Sequence, residues 1–171
     1  MTTPIITATG EAFVPRRRRL ADERKAITHK FQIGPCEGYI TVGLYEDGQP
    51  GEIFITLSKD GAQNGGLVDS FATAISLGLQ YGVPLKVLVN KFVHARYEPS
   101  GPTQNPNIPN AKSVVDYIFR WLALKFLTPE ERQSVGLFQD PTQSTAPAPM
   151  YNAMPGMINN QSFLSRMEPQ G

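Results

Sequence analysis

Five polar or ionisable side chains lie close together in the chain, immediately before a loop rich in proline and glycine. They are Lys91, His94, Arg96, Tyr97 and Glu98. A histidine between acidic and basic groups can transfer protons if the fold brings it within hydrogen-bond reach of a substrate. The same side chains can instead satisfy free carbonyls at the end of a helix, or form a surface for a partner. We predict a partner-binding surface here and no catalytic residue.

A second candidate is a run of four arginines, Arg16, Arg17, Arg18 and Arg19. Such a run can neutralise phosphates or an acidic protein surface. No aromatic residue is interleaved with it, and the net charge of the whole chain is only +1, which argues against a nucleic-acid partner. The charge is nevertheless uneven. Residues 1–30 hold seven Lys/Arg and three Asp/Glu (net +4), and residues 31–60 hold one and five (net −4). We predict that the run is solvated or faces a protein.

The cysteine and histidine content limits the possible chemistry. Cys36 is the single cysteine, so the chain can form no internal disulfide and no CxxC metal site. The two histidines, His29 and His94, lack the spacing of a metal motif, and we expect no metal site. Cys36 lies in the predicted turn "GPCEG". We interpret it as a small residue tolerated in a tight turn rather than as a reactive thiol. The glycines of "NGGLVDS" precede a predicted helix, whose free N–H groups could hold an anion. The segment has no P-loop or dinucleotide motif, so we expect helix capping there.

These totals also predict a location. One cysteine suits a reducing compartment. The first residues, "MTTPIITATGEAF", show no secretory signal, and the uncharged residues 70–85 are too short to span a bilayer. We therefore expect a cytoplasmic protein with no membrane segment.

Alternating apolar residues predict an antiparallel meander of three strands. A short strand at 31–33 comes first, and "ADERKA" before it could form a helical turn. In the second strand one face holds Ile40, Val42 and Leu44, and the other Tyr39, Thr41 and Tyr45. After the turn "EDGQPG" the alternation resumes at Ile53, Ile55 and Leu57.

Helical spacing then replaces alternation. The first helix, ending near residues 81–82, has a predicted apolar face of Leu67, Phe71, Ala74, Ile75, Gly78 and Leu79. The second starts at Pro84 and buries Leu85, Leu88, Val89 and Phe92. The third spans 111–127 with Val115, Ile118, Phe119, Leu122 and Phe126. Thr128 to Glu131 is a capping box that begins a short fourth helix.

The chain thus divides into three parts. Residues 1–27 are expected to be a basic flexible lead, and residues 28–137 an α+β domain in which the meander packs against two or three helices. Residues 138–171 are rich in Pro, Gln, Ser, Asn and Met without periodicity, which predicts a disordered tail. Whether part of this tail orders on a partner stays open.

Four segments resemble the TSCPD domain, the C-terminal module of adenosylcobalamin-dependent (class II) ribonucleotide reductases. They are "RRRRLADERKAITHKFQIG", "EGYITVGLYEDGQPGEIFI", "DSFATAISLGLQYGVPLKVLVNKFVHARYEPSG" and "AKSVVDYIFRWLALKFL". The resemblance covers roughly residues 16–127. It implies that cobalamin and the radical chemistry belong to a large barrel domain elsewhere. Some reductases are split, and this chain is similar to their short second chain.

One departure shapes the functional expectation. Ribonucleotide reduction needs several cysteines, and this chain has one. The resemblance therefore implies a non-catalytic accessory or docking subunit of a class II reductase, with no cofactor of its own and adenosylcobalamin in the partner chain. The alternative is an independent module that binds nucleotide, nucleic acid or protein. A structural role in a virus or mobile element, and self-association, also stay open.

Overall fold

The computed structural model of the chain describes residues 5–6, 12–13, 16–58 and 65–137. The strands are β1 (Ile5–Ile6), β2 (Ala12–Phe13), β3 (Ala26–Ile33), β4 (Cys36–Leu44), β5 (Pro50–Leu57), β6 (Gly101–Pro102) and β7 (Asn110–Ala111). The helices are α1 (Gly65–Gln80), α2 (Leu85–Phe92), α3 (Val114–Phe126) and α4 (Pro129–Ser134). The predicted α+β class is confirmed.

The central sheet is the antiparallel meander β3-β4-β5. Ile40 pairs with His29 on one side and Ile55 on the other, so the inward positions of the three strands share one face. Phe31 lies opposite Gly38, where an added Cβ would lie 2.6 Å from the Phe31 ring. Glycine therefore leaves the space that the Phe31 ring occupies in the core.

The first long strand is the main correction to the predicted sheet. β3 begins at Ala26 rather than at residue 31, and Asp22 and Glu23 form a bend instead of the helical turn expected for "ADERKA". Ile27 pairs with Val42 and His29 with Ile40. Pairing with β4 thus extends β3 back to Ala26, through polar residues that show little alternation of apolar and polar side chains.

Helix α1 covers the free edge of β5. The Ser76 hydroxyl accepts the backbone N–H of Ile53 at 2.9 Å and shares its hydrogen between the carbonyl oxygens of Ile53 (3.2 Å) and Ala72 (2.8 Å). The Gln80 side chain donates to the carbonyl oxygen of Gly51 at 3.0 Å. Because these polar side chains face the strand edge, strand addition is blocked there.

The buried face of α1 also differs from the prediction. Ala72, Ile75 and Leu79 are buried, whereas Leu67 is 70% exposed and Ala74 is exposed as well. Contact with the β5 edge turns the helix toward a face centred on positions 72, 75 and 79, which helical spacing alone does not select.

The remaining helices agree with their predicted faces. α2 buries Leu85 and Val89, and α3 is buried around most of its circumference. Phe71, Phe92 and Phe119 join α1, α2 and α3 through ring contacts of 4.8–6.3 Å between centroids. The predicted capping box at α4 is present.

The ends of the chain add one unexpected element. Ile5 and Ile6 pair with Phe13 and Ala12 in a short antiparallel bridge inside the expected lead. The expected disordered tail, 138–171, lies outside the described residues. Among the residues that are described, no helix has both the length and the apolar character needed to cross a bilayer.

Candidate partner-binding surfaces

A buried carboxylate organises the loop after α2. Asp116, in the first turn of α3, is fully buried. Its Oδ1 accepts the backbone N–H of His94 at 2.6 Å, and its Oδ2 accepts that of Lys112 at 2.9 Å. The Arg120 guanidinium lies 3.7 Å from Oδ2 and offsets part of the charge. Both ends of the loop are therefore tied to one side chain.

Ser113 provides a second tie. Its hydroxyl caps α3 by accepting the N–H of Asp116 at 3.0 Å, and it donates to the carbonyl oxygen of Ala95 at 2.7 Å. The N–H of Tyr97 also donates to the carbonyl oxygen of Lys112 at 3.3 Å. The backbone of residues 94–97 is thus fixed from the side that faces the domain.

The side chains predicted to bind a partner lie on the outer side of this fixed backbone. Lys91, Arg96, Tyr97 and Glu98 are exposed. The Glu98 carboxylate accepts the N–H and hydroxyl of Ser100 at 2.8 and 2.9 Å. Among the described residues, no hydrogen bond or ion pair joins any two of the five predicted residues.

His94 is the fifth of the predicted residues, and its ring is partly exposed. Burial lowers the pKa of His94, and the charges of Lys112 and Arg120 act in the same direction against Asp116. Its side chain is 48% exposed, with Nδ1 3.8 Å from Asp116 Oδ1. The backbone of His94, rather than its ring, makes the close contact.

Asp116 and Ser113 were not recognised from the sequence. A signal existed, because Ser113 followed three positions later by Asp116 is the pattern of a capped helix start. We instead placed the start of the helix at residue 111. The contact with His94, 22 positions away, carries no sequence signal.

The arginine run is held along the domain. The N–H of Arg18 donates to the Gln80 carbonyl oxygen at 2.8 Å, and Arg17 Nε donates to Gln80 Oε1 at 2.6 Å. The Arg18 guanidinium lies 3.8 Å from the centre of the Tyr45 ring and forms an ion pair with Asp47 at 2.9 Å. The fold thus brings an aromatic ring, that of Tyr45, against Arg18, although no aromatic residue is interleaved with the arginines in the sequence.

Within the described residues, three ion pairs join the basic residues of 1–30 to the acidic residues of 31–60. Arg18 pairs with Asp47, Arg24 with Glu52, and Lys30 with Glu37. Each basic residue belongs to the segment with net charge +4 and each acidic residue to the segment with net charge −4. These three cations therefore bind acidic residues of the same chain.

In the part of the chain that the structure describes, three grooves border the arginine run. One of about 690 Å³ is lined by Arg18, Arg19, Arg24 and Lys25, together with Glu23 and Glu46. A second, of about 500 Å³, contains Arg16 and Arg18 beside Tyr45 and Tyr81 and has no acidic residue in its wall. A third, of about 430 Å³, contains Arg17. Arg18 therefore lines two grooves, which it shares with Arg19 and Arg16, and Arg17 lines the third.

A polar contact between the sheet and α3 was also missed. His29 Nε2 lies 2.9 Å from Tyr117 Oη, which accepts a hydrogen bond from Asn105 at 3.1 Å. The His29 ring stacks on Trp121 at 4.8 Å. Burial lowers the pKa of His29, and the charge of Lys125 lowers it further. The lowered pKa favours the neutral His29 ring, which packs between the sheet and α3.

The single thiol is part of the core. Cys36 is 5% exposed, and burial raises its pKa, so the reactive thiolate is disfavoured. The described residues also contain no group of three His, Cys, Asp or Glu side chains placed to hold a metal ion.

The comparisons with known proteins identify the family of the chain. The TSCPD domain family matches residues 14–126, and the chain belongs to that family. A vitamin B12-dependent ribonucleotide reductase of Rhodopirellula baltica is 59% identical over 116 residues, which are 68% of this chain and 11% of the reductase. No solved structure matches the chain.

Two further relatives carry the same name. The vitamin B12-dependent ribonucleotide reductase of Streptomyces avermitilis is 48% identical over 123 residues (72% of this chain, 13% of the reductase). That of Bradyrhizobium diazoefficiens is 43% identical over 129 residues (75% and 10%). The chain thus spans about a tenth of the length of these relatives, and it matches a segment of much larger reductases.

Proposed function

We propose that the chain is a non-catalytic docking module for the catalytic chain of a vitamin B12-dependent ribonucleotide reductase, and so supports deoxyribonucleotide synthesis. The observation that carries this proposal is the 59% identity over 116 residues with a segment of such a reductase. Identity at this level extends over most of the domain. A module that still serves the same assembly explains it most directly.

The geometry of the loop after α2 supports a docking role. Asp116 and Ser113 fix its backbone, while the side chains of Lys91, Arg96 and Tyr97 stay exposed. A surface ordered before binding loses less conformational entropy when a partner arrives.

We assign adenosylcobalamin to the catalytic chain. His29 is occupied by Tyr117 and Trp121, and neither it nor His94 lines one of the three grooves around the arginine run. These placements of the two histidines support the assignment of the cofactor to the catalytic chain. With one buried cysteine, the chain also lacks the thiols that the reduction consumes.

The first experiment is a pull-down of the 171-residue chain from an extract of its source organism, with mass spectrometry of the captured proteins. Recovery of a vitamin B12-dependent reductase supports the proposal, and reductase activity should then be compared with and without the chain. Capture of nucleic acid or an unrelated protein, with no reductase, would favour the independent binding module.

A matched pair of variants refines the test. Arg96→Ala should weaken capture of the reductase and leave the melting temperature unchanged, since no described residue forms a hydrogen bond or ion pair with the Arg96 side chain. Lys125→Ala, at an exposed position in α3, should leave both unchanged. Unfolding of the Arg96 variant would show instead that this side chain stabilises the domain.

A further inference from the structure

The exposed side of α2 carries cations that the described part of the domain does not neutralise. Residues 70–97 contain Lys86, Lys91 and Arg96 and no aspartate or glutamate. All three are exposed, and none forms an ion pair with another described residue. Three cations on the sheet side, Arg18, Arg24 and Lys30, have carboxylate partners in contrast. Lys86 and Lys91 of α2, and Arg96 after it, thus have no ion-pair partner within the described residues.

Apolar side chains lie among these cations. Tyr81 is 48% exposed, Val83 36% and Val87 55%. Val87 and Lys91 are four residues apart in α2, so both lie on the helix face opposite the buried Leu85 and Val89. Exposed apolar groups that cluster within a few residues mark an interaction surface more often than single ones do.

The groove of about 500 Å³ continues this surface beyond the start of α2. Val83 and Tyr81 form part of its wall, and Arg16 and Arg18 form another part, with no acidic residue. Arg18 is already paired with Asp47, which leaves Arg16 as the cation of this groove without an ion-pair partner among the described residues. We call the combined surface the α2 face: Arg16, Tyr81, Val83, Lys86, Val87 and Lys91.

We propose that the α2 face binds an acidic protein segment that carries an aliphatic side chain between its carboxylates, and that this segment belongs to the catalytic chain of the reductase. The inference rests on the proposed function and names the surface and the chemistry of its partner. The apolar side chain would fill the groove beside Tyr81 and Val83, while the carboxylates would meet Arg16, Lys86 and Lys91.

The arrangement favours a protein over a nucleic acid. Two of the three exposed apolar side chains of the α2 face, Val83 and Val87, are aliphatic and can bury an aliphatic side chain. Tyr81 alone offers a ring on which a base can stack. Cations around such a contact speed association and select an acidic partner, and the apolar contact supplies affinity. The binding should therefore weaken with rising salt but not vanish.

The test measures binding of the captured reductase by titration calorimetry at low and at physiological ionic strength. The double variant Lys86→Glu/Lys91→Glu should bind at least about tenfold more weakly. Its control, Lys30→Glu/Lys125→Glu, reverses two exposed lysines outside the α2 face and outside the grooves of the arginine run, and it should bind within about twofold of the unchanged chain. Melting temperatures establish that all variants are folded.

The apolar part is tested separately. Val87→Ser should weaken binding, whereas Leu67→Ser, at a 70% exposed position of α1, should not. Equal binding of the unchanged chain and the Lys86/Lys91 variant would overturn the α2 face while leaving the docking function intact. Failure of the unchanged chain to bind any vitamin B12-dependent reductase would overturn both proposals.

Discussion

The carboxylate of Asp116 accepts the backbone N–H of His94 at 2.6 Å, and His94 has a φ of 67°. A positive φ is costly for a residue with a side chain, and it persists where surrounding contacts determine it. Here one buried oxygen supplies such a contact. A buried side chain therefore helps to determine the backbone conformation of the loop that carries the predicted partner-binding side chains.

Replacing this carboxylate should destabilise the domain. In Asp116→Asn one acceptor oxygen becomes an NH₂ donor that faces the N–H of His94 or Lys112, which leaves a buried donor unpaired. We expect a loss of about 1–3 kcal/mol in the free energy of unfolding, measured with denaturant. Asp69→Asn, at an exposed position of α1, should change it by less than about 0.5 kcal/mol. Similar small effects for both variants would refute the role of Asp116.

Glycine at position 38 should be essential to core packing. A Cβ there would lie 2.6 Å from the Phe31 ring and 2.8 Å from the Thr56 carbonyl oxygen, so Gly38→Ala must displace one of them. We expect a cost of about 1–3 kcal/mol in thermal or chemical unfolding. Gly66→Ala in α1 meets nothing within 4 Å and should be neutral or stabilising by up to about 1 kcal/mol. Equal stability of the two variants would contradict the close packing at Gly38.

The stability of the domain should fall as the pH falls below the ordinary pKa of histidine. Burial lowers the pKa of His29 from 6.5, so the unfolded chain takes up the proton more readily than the folded chain. This contribution to stability is complete above pH 6.5 and is lost as the pH falls toward the folded-state pKa. His94 should contribute in the same direction, because its pKa is also lowered.

Chemical unfolding between about pH 8 and about pH 5 measures this dependence. His29→Gln removes the titrating ring but keeps a hydrogen-bonding side chain near Tyr117, and it should flatten the curve. His94→Gln serves as the comparison at a more exposed site. An unchanged slope in the His29 variant would show that this ring does not govern the pH response.

The Cys36 thiol should react slowly in the folded protein. It is 5% exposed and its pKa is raised by burial, so thiol reagents should label it much more slowly in buffer than in denaturant. As the chain has one cysteine, the labelling rate reports this site alone. In addition, Cys36→Ser should leave any stimulation of the reductase intact. Rapid labelling of the native chain would contradict the buried position.

Local patterns in the sequence predicted most of the fold. Two examples are the alternation that includes Ile53 and Ile55 and the capping residues Thr128 and Glu131. Both patterns involve residues a few positions apart, so they can be recognised in the sequence. The first half of β3 was missed because Thr28, His29 and Lys30 are strand residues only by pairing with β4. Secondary structure of that kind is set by the neighbouring strand.

The candidate surfaces were less predictable, because long-range contacts define them. The pairing of Arg18 with Asp47 spans 29 positions, and that of Arg17 with Gln80 spans 63. Neither follows from residue types. The choice of Lys91, Arg96, Tyr97 and Glu98 as partner-binding residues stays a prediction that the binding experiments will test.

The contact between Ser76 and Ile53 has a consequence for the dynamics of the sheet. The hydroxyl bonds to both the N–H and the carbonyl oxygen of one strand residue, as the backbone of an adjacent strand would. The Ile53 amide should therefore exchange its hydrogen slowly although it belongs to an edge strand, and its exchange should require α1 to separate from the sheet. Hydrogen exchange at this single amide then reports the opening of the interface between the helix and the sheet.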